Sequence, residues 1–315
     1  MKIGVDLAKE KIDFAIKYGL SGKIEFKSIS WKELDKFFKC IMTKEPIEYL
    51  IFEWTGTYTI KFYQKLMELG INDKILYIVD GYYTKQERKK YISQKKTDKI
   101  DALVLLNSWK EVENGLIKKF PKLDQTIVKL RELVIFYDAI SEDIKRWKNL
   151  RENIEIESNL LEDLLNNLNQ KKKIMEKEIK EIIKNSKYKE LLNIPGISYI
   201  SAAYIVSYII DVNRFKNEKA FFAYVGAVKR TMSSGKYKIS KRNVAFHRKL
   251  YRVLWMAVLG AIKSKKENKV KKMFFKQKNK GKHSFVARKH AMRILAYEIW
   301  KVLKKITHIN KKKCE

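Results

Sequence analysis

The stretch Lys95-Lys96-Thr97-Asp98-Lys99-Ile100-Asp101-Ala102 decides how the first third of the chain is read. Its two aspartates, three residues apart, open an apolar run, Ala102-Leu103-Val104-Leu105-Leu106, that predicts a helix. With Thr97 as the N-cap, Asp98 and Asp101 share one face of the first turn, close enough to share a cation. The positive end of the helix dipole favours their ionised forms. An acidic first turn is also ordinary capping, so the pair alone leaves both readings open. Two further acids, Asp6 and Glu53, bear on the choice.

Residues 2–7 alternate, with Ile3, Val5 and Leu7 on one side and Gly4 and Asp6 on the other. An acid at the centre of a strand is locally inconsistent, and such inconsistencies gather at functional sites. Ile12-Asp13-Phe14-Ala15-Ile16 and Lys23-Ile24-Glu25-Phe26-Lys27 alternate likewise, predicting three antiparallel strands joined by hairpins. Trp31, Leu34, Phe37, Phe38 and Ile41 recur at helical spacing, and residues 47–53 read as a strand ending in Glu53. Thr55-Gly56-Thr57 turns into a helix that closes at Leu69-Gly70, a C-cap signal. Residues 75–79 are a fifth strand, and a helical stretch then leads to Asp98. Three antiparallel strands followed by strand-helix-strand-helix is the order of a ribonuclease-H-like α/β domain, here over residues 1–120.

Residues 121–189 carry a different pattern. Ile127, Leu130, Val134, Tyr137, Ile140, Ile144 and Trp147 recur at three and four residues, and Leu160, Leu161, Leu164, Leu165, Leu168, Met175, Ile179 and Ile182 continue the pattern. Two long helices in an antiparallel hairpin or coiled coil are expected, acting as a spacer or in oligomerisation. Residues 190–315 form a third region, mainly α-helical. It opens with Ile194-Pro195-Gly196-Ile197-Ser198, a Pro-Gly turn between helices. Such a turn reads either as a helix-hairpin-helix that grips a phosphate or as plain structure, with Ser198 where a second glycine is usual. Phe215, Phe221, Phe222 and Tyr224 read as core. A loop at residues 229–236 precedes basic helices carrying Lys241, Arg242, Arg248, Lys249 and Arg252, then a lysine cluster at 263–282.

Lys and Arg total 69 against 36 Asp and Glu, a formal net charge of +33. No fold needs that excess, and self-repulsion makes it a cost, so a polyanionic partner, nucleic acid above all, is its simplest account. A lysine-biased genome explains the choice of Lys over Arg but not the sign. With 45% hydrophobic residues the chain is not a disordered polycation. Cys40 and Cys314 offer neither a disulfide framework nor zinc spacing. No apolar run reaches membrane-spanning length and no signal-peptide core opens the chain, so a cytoplasmic protein is expected.

These motifs together resemble the DEDD transposases of the insertion sequence 110 family. Gly4-Val5-Asp6-Leu7-Ala8-Lys9 resembles the family's first acidic motif, and Phe52-Glu53-Trp54-Thr55-Gly56-Thr57-Tyr58 its second. Thr97-Asp98-Lys99-Ile100-Asp101-Ala102 supplies the third and fourth acids. Ile194-Pro195-Gly196-Ile197, Arg214-Phe215, Tyr224-Val225-Gly226 and Ser234-Gly235 follow in family order, and Lys241 and Arg248 continue it. The family's proline after Gly226-Ala227 and its glycine near residues 240–243 are missing. The resemblance implies a RuvC-like domain, then a transposase domain with a serine nucleophile. It also implies recognition of donor and target DNA through a structured guide (bridge) RNA, and a tetramer in which one protomer's acids complete another's serine site.

Phosphodiester transfer needs neutralisation of a phosphorus centre that gains negative charge. Asp6, Glu53, Asp98 and Asp101 suit two Mg2+ ions, since hard carboxylate oxygens beside water and phosphate favour Mg2+ over zinc. Ser234 adds a covalent protein–DNA intermediate, with Arg230, Lys241 and Arg248 lowering the cost of the developing charge. Locally, Ser233-Ser234-Gly235 is a plain turn, and the family pattern gives Ser234 its role. Two other functions compete: a RuvC-like structure-specific endonuclease that cleaves without Ser234, and a non-catalytic nucleic-acid-binding protein that tolerates loss of the acids.

Overall fold

The computed structural model describes residues 1–19, 22–79, 81–88, 97–121, 123–153, 158–228, 230–234, 237–241 and 246–311, with backbone alone for 82, 153, 158, 230–234, 237–241 and 308–311. The chain forms two compact units, Met1–Lys122 and Leu123–Glu315. The first begins with a meander, β1 (Lys2–Leu7), β2 (Lys11–Lys17) and β3 (Ile24–Ser30), then α1 (Leu34–Met42) and β4 (Tyr49–Glu53). Next come α2 (Thr57–Glu68), β5 (Leu76–Val79), α3 (Gly81–Arg88), α4 (Asp98–Asn107), α5 (Trp109–Glu113) and β6 (Lys118–Lys119). The sheet runs β3-β2-β1-β4-β5-β6. The meander is antiparallel, β1, β4 and β5 are parallel, and β6 is an antiparallel edge. This is the ribonuclease-H-like order expected from the sequence. Among the described residues the short α5 and the strand β6 are additional, and the two exposed lysines of β6 carry no alternation by which to find it.

The two sheet faces differ in what they bury. Val5 lies opposite Phe14 on β2 and Phe52 on β4, and this face packs aromatic rings. Phe14 meets Phe37 at 4.5 Å between centroids, and Phe52 meets Phe62 of α2 at 5.5 Å. The other face carries Gly4, Asp6, Asp13 and Ala15, and α4 lies there. Ala15, Ala102 and Leu106 form one buried cluster; Ile51, Val79 and Leu105 belong to another. Small residues on this face bring the helix backbone close. A Cβ on Gly4 would stand 2.2 Å from Leu106 N and 2.3 Å from Ala102 O.

The second unit comprises α6 (Gln125–Asn153), α7 (Ser158–Lys184), α8 (Tyr199–Ile209), α9 (Glu218–Tyr224), β7 (Arg230–Ser234), β8 (Tyr237–Lys241), α10 (Arg248–Lys263), α11 (Lys269–Asn279) and α12 (Ser284–Lys311). As expected, α6 and α7 are antiparallel: Arg151 reaches Glu162 at 2.8 Å and the Tyr137 hydroxyl reaches Glu176 at 3.0 Å. Ile144, Leu161 and Leu165 are buried between them. Leu160, expected on that seam, is instead 83% exposed, because adjacent leucines cannot both face the partner helix. At the Pro-Gly turn, a Cβ on Gly196 (φ +87°) would meet Ala257 O of α10 at 2.0 Å, so this turn is pressed against a helix backbone. The region expected as a loop at 229–236 is in part a strand. β7 and β8 pair as a hairpin, and Lys241, expected on a basic helix, ends β8. Thr231, Tyr237 and Ile239 are strand formers whose alternation is too short to stand out among the basic residues. Among the described residues no helix is long and apolar enough to cross a membrane.

Because the atoms facing Gly4 belong to backbone, no rotamer change makes room for a side chain. Gly4→Ala should lower stability by about 3 kcal/mol, read from the denaturant midpoint by circular dichroism. Gly70→Ala, at φ +72° with nothing near its Cβ, should lose only about 1 kcal/mol.

Candidate functional site

Parallel pairing of β1 with β4 aligns Val5 with Phe52, so Asp6 and Glu53 occupy the next positions at the carboxyl ends of adjacent strands. Ligands of α/β sheets bind at such edges. Thr97 caps α4 as expected, its hydroxyl accepting from Ile100 N at 3.3 Å, with Asp98 and Asp101 in the first turn. The close approach at Gly4 sets this turn beside Asp6. Burial is the main cause that pushes the Asp6 carboxyl up to about 6, followed by the negative charges of Asp101, Glu53, Asp98 and Asp13. Asp6, Glu53, Asp98 and Asp101 therefore share one electrostatic neighbourhood.

Three members of this neighbourhood were not singled out in the sequence. Asp13 lies directly opposite Asp6 in the β1–β2 register and is 5% exposed. Its Oδ2 is buried and makes no hydrogen bond. Lys11 Nζ stands 2.7 Å from Asp98 and 3.4 Å from Asp13, and the Asp98 hydrogen bond holds the lysine's pKa above its usual value. Arg88 Nε donates to Asp101 at 2.5 Å. The hairpin register, counted from the turn at Ala8–Lys11, was the signal available for Asp13; Arg88 had none. Among the described residues Lys11 and Arg88 thus face five carboxylates, and the buried Asp13 Oδ2 is met by Lys11 as an ion pair without a hydrogen bond. The donor set is all hard oxygen, which suits a divalent cation such as Mg2+. As the side chains stand, no three His, Cys, Asp or Glu among the described residues are arranged to hold a metal ion; Asp98 and Asp101 are turned to Lys11 and Arg88.

Two family models match the chain. A DEDD transposase model of the IS110 group covers residues 3–154, and a model of the IS116/IS110/IS902 transposase family covers residues 188–274. The chain belongs to the IS110 family of transposases. It is accordingly an enzyme, a DNA transposase, and its substrate is DNA. The non-catalytic reading falls away. No curated protein matches the sequence.

In the transposase's second unit, Ser234 ends β7 opposite Tyr237, and Arg230 lies opposite Lys241 on the same hairpin. Residues 235 and 236, between the strands, lie outside the described residues, as does Arg242. Arg248 is the exposed first residue of α10. The start of α10 is pinned by buried polar groups that the sequence did not mark. Asp138 of α6 accepts from Lys249 at 2.6 Å and from the Tyr204 hydroxyl, and Arg252 approaches it at 3.5 Å. His247 caps α10 through Nδ1, accepting from Leu250 N at 3.2 Å. Burial, with Arg131, Arg214 and Lys249 nearby, pushes its pKa down to about 4 and keeps it neutral. The helix that follows the hairpin is thereby held from several sides.

The raised Asp6 pKa carries a pH signature. A carboxyl whose pKa is higher in the folded than in the unfolded state opposes folding once ionised. The penalty is absent below the ordinary value of 3.8, grows as pH rises, and is complete above about 6. With chelator present, Asp6→Asn should raise the unfolding free energy by about 2 kcal/mol near pH 8. The gain should vanish near pH 4 in the same denaturant titration.

Proposed function

We propose that this transposase is a bridge-RNA-guided DNA recombinase. In it Asp6, Glu53, Asp98 and Asp101 hold Mg2+, and Ser234 is the nucleophile. The observation that carries the reading is the gathering of these four acids, from three separated segments, in one electrostatic neighbourhood, with Glu53, Asp98 and Asp101 around the half-buried Asp6. When bound, the metal would supply charge neutralisation to phosphate oxygens and activation of an attacking oxygen. Lys11 and Arg88 would then turn away from Asp98 and Asp101 toward the DNA backbone. Asp13 would limit the positions open to Asp6 by repulsion from across the β1–β2 ladder.

In this reading Ser234 Oγ attacks phosphorus, loses its proton, and displaces a deoxyribose oxygen that takes one up. A hydroxyl of the joining strand later displaces the serine, so the bond energy is conserved. Arg230 and Lys241, which share one rung of the hairpin, and Arg248 would meet the phosphate charge. The guide RNA and the tetramer remain part of the proposal. The +33 charge supports the first, and exposed apolar side chains on the helix pair, Phe136 at 63% and Ile174 at 63%, support the second.

Ser234 and Ser233 are adjacent on β7, so each controls for the other. Ser234→Ala should lower recombination by orders of magnitude and abolish a covalent adduct on a nicked suicide substrate, while Ser233→Ala keeps both. Asp98→Asn or Asp101→Asn should also abolish recombination with the fold intact. Cleavage by Ser234→Ala with no adduct would instead identify a water-using RuvC-like endonuclease. Independently, light scattering of the full chain should give a mass above one protomer, and Phe136→Glu with Ile174→Glu should lower it toward 37.4 kDa.

A further inference from the structure

Four aromatic rings follow one another across the second unit. Phe246 stands 5.0 Å from Tyr251 between centroids, Tyr251 5.9 Å from Trp255, and Trp255 5.2 Å from Phe285 at the start of α12. Tyr251 and Trp255, four residues apart on one helix, are stacked within 25°. One end of the strip is anchored. A Cβ on Gly226 (φ +76°) would come within 2.7 Å of Tyr251 and 3.1 Å of Phe246, so only glycine lets the turn after α9 sit against those rings. The other end is open: Phe285 is 44% exposed and Met256, next to Trp255 in the chain, is 61% exposed. Two cations attend it, Arg288 at 5.7 Å from the Trp255 centroid and Lys289 at 5.3 Å from that of Phe285.

Large apolar rings at a strongly basic surface need a reason. From residue 246 to 311 the acids are Glu267 and Glu298, and both are occupied by lysines, Glu267 by Lys271 and Glu298 by Lys269 and Lys301. The region therefore asks for a polyanion, and the rings ask for flat apolar faces. Unpaired nucleotides carry both, since bases stack on aromatic side chains while cations meet the phosphates. A duplex offers the phosphates but hides its base faces, and an acidic protein offers few flat rings. A DNA transposase must also unpair bases wherever strands are exchanged. We propose that Trp255 and Phe285, backed by Tyr251 and Phe246 and flanked by Arg288 and Lys289, form a stacking platform for unpaired DNA bases. The strip starts five residues after β8, so it lies next in sequence to the hairpin that bears Ser234. It needs DNA as the substrate but not the assignments of Ser234 or the acids.

The test is binding alone, with the full-length chain and fluorescein-labelled oligothymidylate, a DNA duplex of equal length, and oligouridylate, by anisotropy across a salt series. Trp255→Leu and Phe285→Ser should each weaken oligothymidylate binding about tenfold and leave the slope against log salt unchanged. Duplex affinity should stay within about twofold, and Trp255→Tyr should restore most of the single-strand affinity. Arg288→Gln should instead flatten the slope by about one. Circular dichroism checks the fold, and Phe285→Ser, at an exposed position, keeps the test available should Trp255→Leu fail to fold. Equal losses on single strand and duplex, or no loss at Phe285→Ser, overturns the proposal. So does a loss confined to oligouridylate, which would make the platform a guide-RNA site. Because no cleavage is measured, failure here leaves the nucleophile reading standing, and failure of that reading leaves the platform standing.

Discussion

The first unit depends on one close approach, the backbone of α4 against β1 at Gly4. With any larger residue at position 4 the helix would have to retreat from the sheet. A retreat would separate Asp98 and Asp101 from Asp6, because all three are placed by the same contact. The division of the sheet into an aromatic face and a small-residue face follows from this need. Phe14, Phe52 and Phe62 supply the bulk of the core on one side, which frees the other side to hold acids beneath a helix start.

Gathering five carboxylates there runs against stability. Burial and mutual repulsion raise Asp6, and Lys11 and Arg88 offset only part of the negative charge of the five carboxylates. A site optimised for stability alone would replace such acids with apolar residues, as buried charge is costly without full compensation. The residual demand for positive charge is what makes the cluster a candidate for chemistry on phosphates.

The second unit meets a related problem in a different way. The hairpin carrying Ser234 is two short strands, which have little cohesion of their own. Its neighbour in the chain, α10, is fixed instead, through Asp138 with Lys249 and Tyr204, and through Gly196 against the α10 backbone. Arg248, at the head of α10, inherits that rigidity. The basic surface beyond it, spread over α10 to α12, meets few acids among the described residues, Glu267, Glu298 and, at Lys305, Glu190, so most of its charge is not offset within the chain.

Local sequence determined most of the elements. The alternation of residues 2–7, the cap at Thr97, the C-cap at Gly70 and the apolar seams of α6 and α7 are all properties of short stretches, so periodicity and capping reveal them. The order of elements was enough for the ribonuclease-H-like topology, and the order and spacing of the acidic motifs together with those from Ile194 to Gly235 for the family. Tertiary structure decided what no window of sequence contains. That Asp13 stands across from Asp6 follows from strand register, and that Arg88 holds Asp101 follows from the packing of α3 on α4. That Leu160 faces outward while Leu161 is buried depends on helix rotation, which two adjacent leucines leave open. That Ser234 ends a strand depends on pairing with residues 237–241, whose alternation is too brief to show alone. Charge pairing, register and helix rotation arise between segments, and only the folded chain brings those segments together.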